Sequence, residues 1–143
     1  MAENENVQVV RDAYAAFQRG DIPGLLGLMS EDVTWDTPGA TDVIPYAGSK
    51  RGREGVAGFF SALAGSERIT HFEPREFTAQ GDRVIVEGNY KGSVISTGRG
   101  YDIDWLHVFR IADGKIKSFR EYIDTAALGE AHRAAAATTG GGA

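Results

Sequence analysis

The sequence predicts an α+β fold in which three helices and one early strand are followed by an antiparallel sheet. Two observations support this fold class. Apolar residues recur every three or four positions up to Leu63, and longer strand patterns follow Gly65. Two turn signals, Gly81-Asp82 and Asp113-Gly114, then separate neighbouring strands. Because the helices and the strands are segregated along the chain, they are typical of an α+β domain.

Three segments have the spacing of short helices. The first, "ENVQVVRDAYAAFQRG", ends at Gly20 and carries an apolar stripe made of Val7, Val10, Tyr14 and Phe17. The second follows Asp21, whose side chain can cap it, and it has Pro23 in its first turn. The third is "REGVAGFFSALAG", whose apolar side presents Val56, Phe59, Phe60 and Leu63.

The remaining segments have the patterns of strands and turns. "EDVTWDTPG" predicts a short strand that ends at Pro38, and the turn-rich stretch 38–52 predicts a loop. Four strands are expected from "ITHFEPREFTAQ", "DRVIVEGNYKGSVIST", "YDIDWLHVFRI" and "KIKSFREYI". Strands this long in a twisted sheet are expected to curl around the helices into an open cone with a deep apolar pocket, which is a usual setting for a small ligand.

Length and composition restrict the classes of protein to consider. The chain has 143 residues, so we expect one domain over residues 1–130 and a low-complexity, disordered tail over 131–143. The net charge of -5 argues against a nucleic-acid footprint, and the absence of cysteine excludes disulfides and a thiolate zinc site. No apolar run approaches the roughly 20 residues of a membrane helix, and the N-terminus lacks a secretory core. We therefore expect a cytoplasmic protein.

The last predicted hairpin, "DWLHVFRIADGKIKSFREYID", allows two registers. A two-residue Asp113-Gly114 turn pairs Ala112 with Lys115 and sets His107 opposite Arg120. A three-residue loop with a bulge at Gly114 pairs His107 with Phe119 instead. We prefer the three-residue loop, because it gathers one apolar face made of Trp105, His107, Phe109, Phe119, Glu121 and Ile123. A slip of one residue would exchange the two faces of the strand.

In the preferred register, His107 and Glu121 are diagonal neighbours inside an aromatic pocket. An apolar wall raises the pKa of a glutamate and lowers that of a histidine, whereas mutual pairing acts in the opposite directions. A pair of this kind suits general acid–base catalysis on a lipophilic substrate, and we take Glu121 and His107 as candidate catalytic residues. The candidate substrate-binding residues are Trp105, Tyr14, Trp35, Asp36, Phe119 and Phe59. The simpler interpretations are packing for Tyr14 and Trp35 and a turn for Asp36.

The spacing of the histidines predicts no metal site, and no cofactor motif is present, so we expect chemistry that needs only proton transfer. His71, His107 and His132 are too far apart in sequence to form a known ligand pattern.

The segments "YAAFQRGD", "SEDVTWDTPG", "GREGVAGFF" and "HVFRIADGKIKSFREYID" resemble, in order and spacing, the SnoaL-like branch of the NTF2-like superfamily. The resemblance runs from Val7 to Leu128. This branch includes polyketide cyclases, ketosteroid isomerases and limonene epoxide hydrolases. It implies a cone of curved antiparallel sheet wrapped around three N-terminal helices, with a deep pocket, and commonly a homodimer through the outer sheet face.

The resemblance also implies roles for single positions. The last-strand carboxylate that serves as acid or base in the cyclases and epoxide hydrolases corresponds to Glu121, and the isomerases' second oxyanion donor corresponds to His107. The isomerases' tyrosine and aspartate correspond to Ala13 and Thr37, each one residue away from a residue of the required type. The Arg-x-Asp element of the epoxide hydrolases corresponds to "VEGNY", which has no arginine.

Three functions follow as hypotheses. The first is a cofactor-independent cyclase or isomerase acting on a hydrophobic, carbonyl-bearing ring or polyketide-like molecule. Glu121 would move a proton next to the carbonyl, and His107 would either hydrogen-bond the enolate oxygen or orient Glu121. The second is epoxide hydrolysis, with Glu121 activating water. The third is a non-catalytic pocket that binds a small molecule or a partner protein.

Overall fold

The computed structural model describes the backbone of residues 2–142 and the side chains of residues 2–133. Two helices, α1 (Ala2–Gln18) and α2 (Ile22–Gly27), precede strand β1 (Met29–Thr37) and the short strand β2 (Gly48–Arg51). Helix α3 (Gly52–Ser66) then leads into four long strands, β3 (Glu67–Gln80), β4 (Arg83–Val94), β5 (Gly100–Ala112) and β6 (Lys115–Ile123). Helix α4 (Thr125–Gly142) follows the sheet.

The six strands form one curved, unclosed sheet in the order β2-β1-β6-β5-β4-β3. The pairs are antiparallel except for β1 and β6, which run parallel. The early strand therefore lies beside the last one in the sheet. Helix α1 packs against β3 and α3 packs against β1, so the hydrophobic core lies between the helices and the concave face of the sheet. This architecture is the predicted cone.

The local signals for the helices are confirmed. Asp21 caps α2, since its Oδ1 accepts a hydrogen bond from the Gly24 amide at 2.9 Å. The buried residues of α1 include Val10 and Tyr14 from the predicted stripe. Within the described residues, no helix combines the length and the hydropathy that crossing a membrane requires.

The loop predicted over 38–52 is wrong in part, because its last residues form β2, which pairs with β1. The rest of the segment is a compact turn in which the amides of Val43 and Ile44 donate to the Ala40 carbonyl. Ile44 and Tyr46 are buried in the core. Proline and glycine in this segment correctly indicate a turn, but burial of its apolar side chains is a tertiary effect.

The predicted three-residue loop of the last hairpin is also wrong. Asp113 and Gly114 form a two-residue turn with φ of 52° and 72°, and Ala112 pairs with Lys115. A bulge then leaves Lys117 without a partner in β5, and it moves the register by one residue. His107 therefore lies directly opposite Glu121, and the inner face keeps the composition that we predicted from the other turn.

The predicted boundary at residue 130 falls inside α4. Ala131 and His132 are packed into the fold, and the Asp124 carboxylate caps this helix by accepting from the Ala127 amide at 2.9 Å. Most of the predicted disordered tail, from residue 134 onward, lies outside the residues whose side chains are described.

Candidate active site

A cavity of about 80 Å³ lies between the helices and the concave face of the sheet. Its wall is dominated by aromatic side chains, which are Phe17, Trp35, Phe59, Phe60, Phe72, Phe109 and Phe119. The polar residues of the wall are Tyr14, Thr37, Tyr46, Tyr90, His107 and Glu121. Glu121 is the only acidic residue in the described wall, so any acid–base chemistry of a carboxylate in this cavity depends on it.

Three polar side chains of the wall form a continuous hydrogen-bonded line. The Nε2 of His107 is 2.9 Å from Oε2 of Glu121, and its Nδ1 is 2.9 Å from the hydroxyl of Tyr14. The bulge in β6 sets the first contact by placing His107 and Glu121 on opposite strands at the same level. The His107 side chain is only 6% exposed, whereas the Glu121 side chain is 14% exposed and lines the cavity.

The proton positions in this line follow from burial. Burial lowers the pKa of His107, although the hydrogen bond and the negative charge of Glu121 act in the opposite direction. Burial, and then the charge of Glu121, raises the pKa of Tyr14, so the phenol keeps its proton. A neutral imidazole with one N–H satisfies both contacts when Nε2–H donates to Glu121 and Nδ1 accepts from Tyr14. Both nitrogens of His107 are then occupied.

The two oxygens of Glu121 have different surroundings. Oε2 accepts the hydrogen bond from His107, whereas Oε1 has no hydrogen-bond partner among the described residues. The unpartnered oxygen belongs to a side chain that lines the cavity. It is therefore available to a bound molecule.

Stacked aromatic rings fix the orientation of His107. The imidazole stacks on the indole of Trp105 with ring centroids 3.9 Å apart and an interplanar angle of 14°. Trp105 in turn stacks on Phe72 at 5.1 Å, and Phe119 contacts the imidazole edge-on at 4.6 Å. This packing holds the imidazole where its Nε2 contacts the Glu121 carboxylate.

Four of the six residues predicted to bind substrate line the cavity, namely Tyr14, Trp35, Phe59 and Phe119. Trp105 does not line it, because its ring lies behind His107. Asp36 does not line it either. In β1 the side chains of Trp35 and Thr37 point inward, and the intervening Asp36 points to the other face, where it accepts a hydrogen bond from Ser49.

The structure contains a second polar cluster that the sequence patterns did not predict. The Glu67 side chain is 0% exposed and accepts hydrogen bonds from the hydroxyls of Tyr46 and Tyr101 and from Nε2 of His132. Glu67 begins a strand and looks like a surface charge, and Tyr46 and His132 lie in segments predicted as a loop and a tail. The apolar character of "VIPY" was the one local signal that this loop is buried. Among the described side chains, no group of three or more His, Asp or Glu is arranged to hold a metal ion.

Solved structures resemble this chain over nearly its whole length. An NTF2-like protein from Burkholderia xenovorans LB400 is 42% identical, with a TM-score of 0.84 over 92% of this chain and 98% of that one. An NTF2-like protein from Burkholderia pseudomallei K96243 is 30% identical, with a TM-score of 0.82 over 89% and 96%. TerC, co-crystallised with polyporic acid, is also 30% identical, with a TM-score of 0.82 over 90% and 98%.

None of the curated protein sequences matches this chain. The family model of the SnoaL-like domain matches residues 10–119, which include the second half of α1, most of the sheet and the last hairpin through Phe119. The chain therefore belongs to the SnoaL-like family.

Proposed function

We propose that the protein is a cofactor-independent acid–base enzyme of the cyclase or isomerase type. Its substrate is a hydrophobic ring or polyketide-like molecule that bears a carbonyl group. The observation that carries the proposal is the state of Glu121, which is held by His107 at Oε2 and has Oε1 free in an aromatic cavity. A carboxylate with one anchored and one free oxygen is arranged to move a proton on a bound molecule.

In the proposed step, Oε1 removes a proton from the carbon next to the substrate carbonyl. The C–H bond breaks, its electron pair forms the C=C bond of an enolate, and the carbonyl π electrons move onto oxygen. In an isomerisation, Oε1 returns the proton to another carbon of the same molecule. In a cyclisation, the enolate carbon attacks a second carbonyl carbon and the proton goes to the new alkoxide. Both outcomes balance without an oxidant, a reductant or a metal.

His107 and Tyr14 act as positioning residues in this proposal. Of the two roles that the sequence allowed for His107, orientation of Glu121 fits the geometry, because both imidazole nitrogens are already hydrogen-bonded. Because burial lowers the pKa of His107, the imidazole meets Glu121 as a neutral hydrogen-bond donor. Tyr14 supports this state by donating to Nδ1, which favours the tautomer with the proton on Nε2.

The cavity must enlarge to take a ring of the proposed size. Its volume of about 80 Å³ is below the roughly 300–1,000 Å³ of typical ligand pockets. A more open space of about 330 Å³ adjoins it, and Phe17, Ile69 and Phe72 line both spaces. These three side chains are only partly buried, so we propose that their displacement admits the ligand. TerC, which is similar in sequence and fold, was co-crystallised with a small organic molecule, and this supports ligand binding in such a cone.

Proton exchange on a model ketone tests the proposal. In 2-tetralone, the C1 protons lie between the carbonyl and the aromatic ring and are activated for removal. The wild-type protein in D2O should accelerate the loss of their ¹H NMR signal, and Glu121→Gln should lower the rate about 10²–10⁴-fold or to the buffer background. Glu76→Gln is the matched control, since Glu76 lies exposed on β3. The Glu76→Gln variant should exchange the C1 protons of 2-tetralone at the wild-type rate.

Three results would contradict the proposal or redirect it. Wild-type exchange in Glu121→Gln, with an unchanged melting temperature, would remove Glu121 from the mechanism. Binding of 2-tetralone without any exchange would favour the non-catalytic pocket. If an epoxide is supplied in place of the ketone, incorporation of oxygen from labelled water into a diol product would favour epoxide hydrolysis, although no arginine lines the described cavity wall.

A further inference from the structure

Glu67 and its donors form the second polar region beside the cavity. A carboxylate buried this completely is tolerated when several hydrogen bonds satisfy it, and Glu67 has three. Tyr101 donates from 2.7 Å and His132 contacts the carboxylate at 2.9 Å. Of the three donors, only Tyr46 also lines the cavity, and Tyr90, which lines it too, interacts with Tyr46. A ligand in the cavity can therefore contact this polar region through the hydroxyls of Tyr46 and Tyr90.

Most polar groups in the cavity wall already have hydrogen-bond partners and cannot bind a ligand. Tyr14 and both nitrogens of His107 are engaged with each other and with Glu121. The Thr37 hydroxyl donates to the backbone carbonyl of Tyr46 at 3.3 Å. The indole Nε1 of Trp35 also has no partner among the described residues, but this atom is buried. Apart from it and Oε1 of Glu121, the hydroxyls of Tyr46 and Tyr90 are the polar groups of the described wall that can still bind a ligand.

The two tyrosines offer complementary hydrogen-bonding capacity. Burial, the neighbouring Tyr90 and the charge of Glu67 raise the pKa of Tyr46, so it stays a neutral phenol. Its single proton is donated to Glu67, which leaves lone pairs on its oxygen as acceptors. Burial, followed by the charges of Glu121 and Glu67, raises the pKa of Tyr90, while the contact with Tyr46 acts in the opposite direction. Tyr90 therefore keeps a proton of its own to donate.

We infer that Tyr46 and Tyr90 bind a hydroxyl group of the ligand. A hydroxyl can donate to Tyr46 and accept from Tyr90 at once, whereas a carbonyl uses only the donor. An anionic oxygen is disfavoured because two carboxylates, Glu67 and Glu121, lie nearby. The inference rests on the proposed function in that both place the ligand in this cavity. It narrows the ligand class to apolar rings that carry a hydroxyl in addition to the carbonyl.

Binding of matched ketones tests the inference independently of turnover. Dissociation constants of 2-tetralone, 6-hydroxy-2-tetralone and 7-hydroxy-2-tetralone are measured by isothermal titration calorimetry. The wild-type protein should bind one of the two hydroxylated isomers about tenfold more tightly than 2-tetralone, which corresponds to two ordinary hydrogen bonds. This preference should vanish in Tyr90→Phe and in Tyr46→Phe, while the affinity for 2-tetralone changes by less than about twofold.

Tyr101→Phe separates ligand recognition from stability. This substitution also removes a donor from Glu67, but Tyr101 does not line the cavity. The variant should therefore bind the hydroxylated ketone more tightly than 2-tetralone, as the wild type does. The inference is overturned if no wild-type preference exists, if neither hydroxylated ketone binds, or if Tyr90→Phe weakens all three ketones equally. Hydroxyl preference without proton exchange would sustain the inference and contradict the proposed function. Proton exchange without a hydroxyl preference would sustain the proposed function and contradict the inference.

Discussion

Replacement of Gly88 by alanine should disturb the ring stack that orients His107. Gly88 lies in β4, where it pairs with Trp105 on one side and Pro74 on the other. A Cβ atom at this position would lie 2.3 Å from Cζ2 and 2.6 Å from Cη2 of Trp105, and 2.5 Å from the Glu73 carbonyl oxygen. Non-bonded carbon atoms pack at about 3.5–4.0 Å, so the added Cβ would overlap the Trp105 ring by more than about 1 Å, and it would also lie too close to the Glu73 oxygen.

Neither partner can move freely. The indole of Trp105 stacks on both His107 and Phe72, and the Glu73 carbonyl belongs to the backbone of the adjacent strand. Overpacking of this kind typically costs about 1–3 kcal/mol, and with two rigid partners we expect Gly88→Ala to lie near the upper value. For a chain of this size, that corresponds to a fall in melting temperature of roughly 6–12 °C.

Calorimetry and near-ultraviolet circular dichroism measure both consequences of Gly88→Ala. The melting temperature should fall, and the aromatic signal should change as Trp105 moves. Gly58→Ala is the matched control, because a Cβ there meets no atom within 4 Å and Gly58 lies inside α3, where alanine gains up to about 1 kcal/mol. If Gly88→Ala melted at the wild-type temperature and exchanged 2-tetralone at the wild-type rate, the ring stack would not be what positions His107.

Two further predictions concern the hydrogen-bonded line in the cavity. Because burial lowers the pKa of His107 in the folded protein, the unfolded chain takes up a proton first as the pH falls below about 6.5, and stability is lost there by up to about 1.4 kcal/mol per pH unit. Urea unfolding between pH 7 and pH 5 should show a steeper loss in the wild type than in His107→Gln, and parallel curves would refute a buried neutral His107. Tyr14→Phe leaves Nδ1 of His107 without its donor and should cost about 1–3 kcal/mol in the same assay. It should slow 2-tetralone exchange less than Glu121→Gln does, and an equally complete loss would mean that the Tyr14 hydroxyl takes part in the chemistry directly.

Elements whose signals are local could be predicted from the sequence. The apolar stripe of α1 and the Asp21 cap of α2 depend on residues three or four positions apart, and both are present in the structure. The strand alternation in β5 likewise gave the inner face correctly. The register of the last hairpin could not be obtained in this way, since the bulge at Lys117 leaves no distinct pattern in "KIKSFREYI". Because the bulge moves the register by one residue, the predicted inner face was correct although the predicted turn was wrong.

Features that depend on distant segments were missed. Strand β1 pairs with β6 in parallel, and no local pattern distinguishes that partner from another strand. Glu67 is buried only because Tyr46, Tyr101 and His132 reach it from 21, 34 and 65 residues away in sequence. A single carboxylate at the start of a strand is normally solvated, so its burial becomes visible only when the donors are brought together.

A structure of Glu121→Gln with bound 2-tetralone would show whether residue 121 faces the carbon that loses its proton. This variant is expected to bind the ketone without removing a C1 proton, so the complex represents the state before proton transfer. We expect the C1 carbon to lie within about 3–3.5 Å of the terminal side-chain atoms of residue 121, which is the distance of a reactive contact. A ketone seated with C1 turned away from residue 121, or held only in the outer space beside Gln18 and His71, would contradict it.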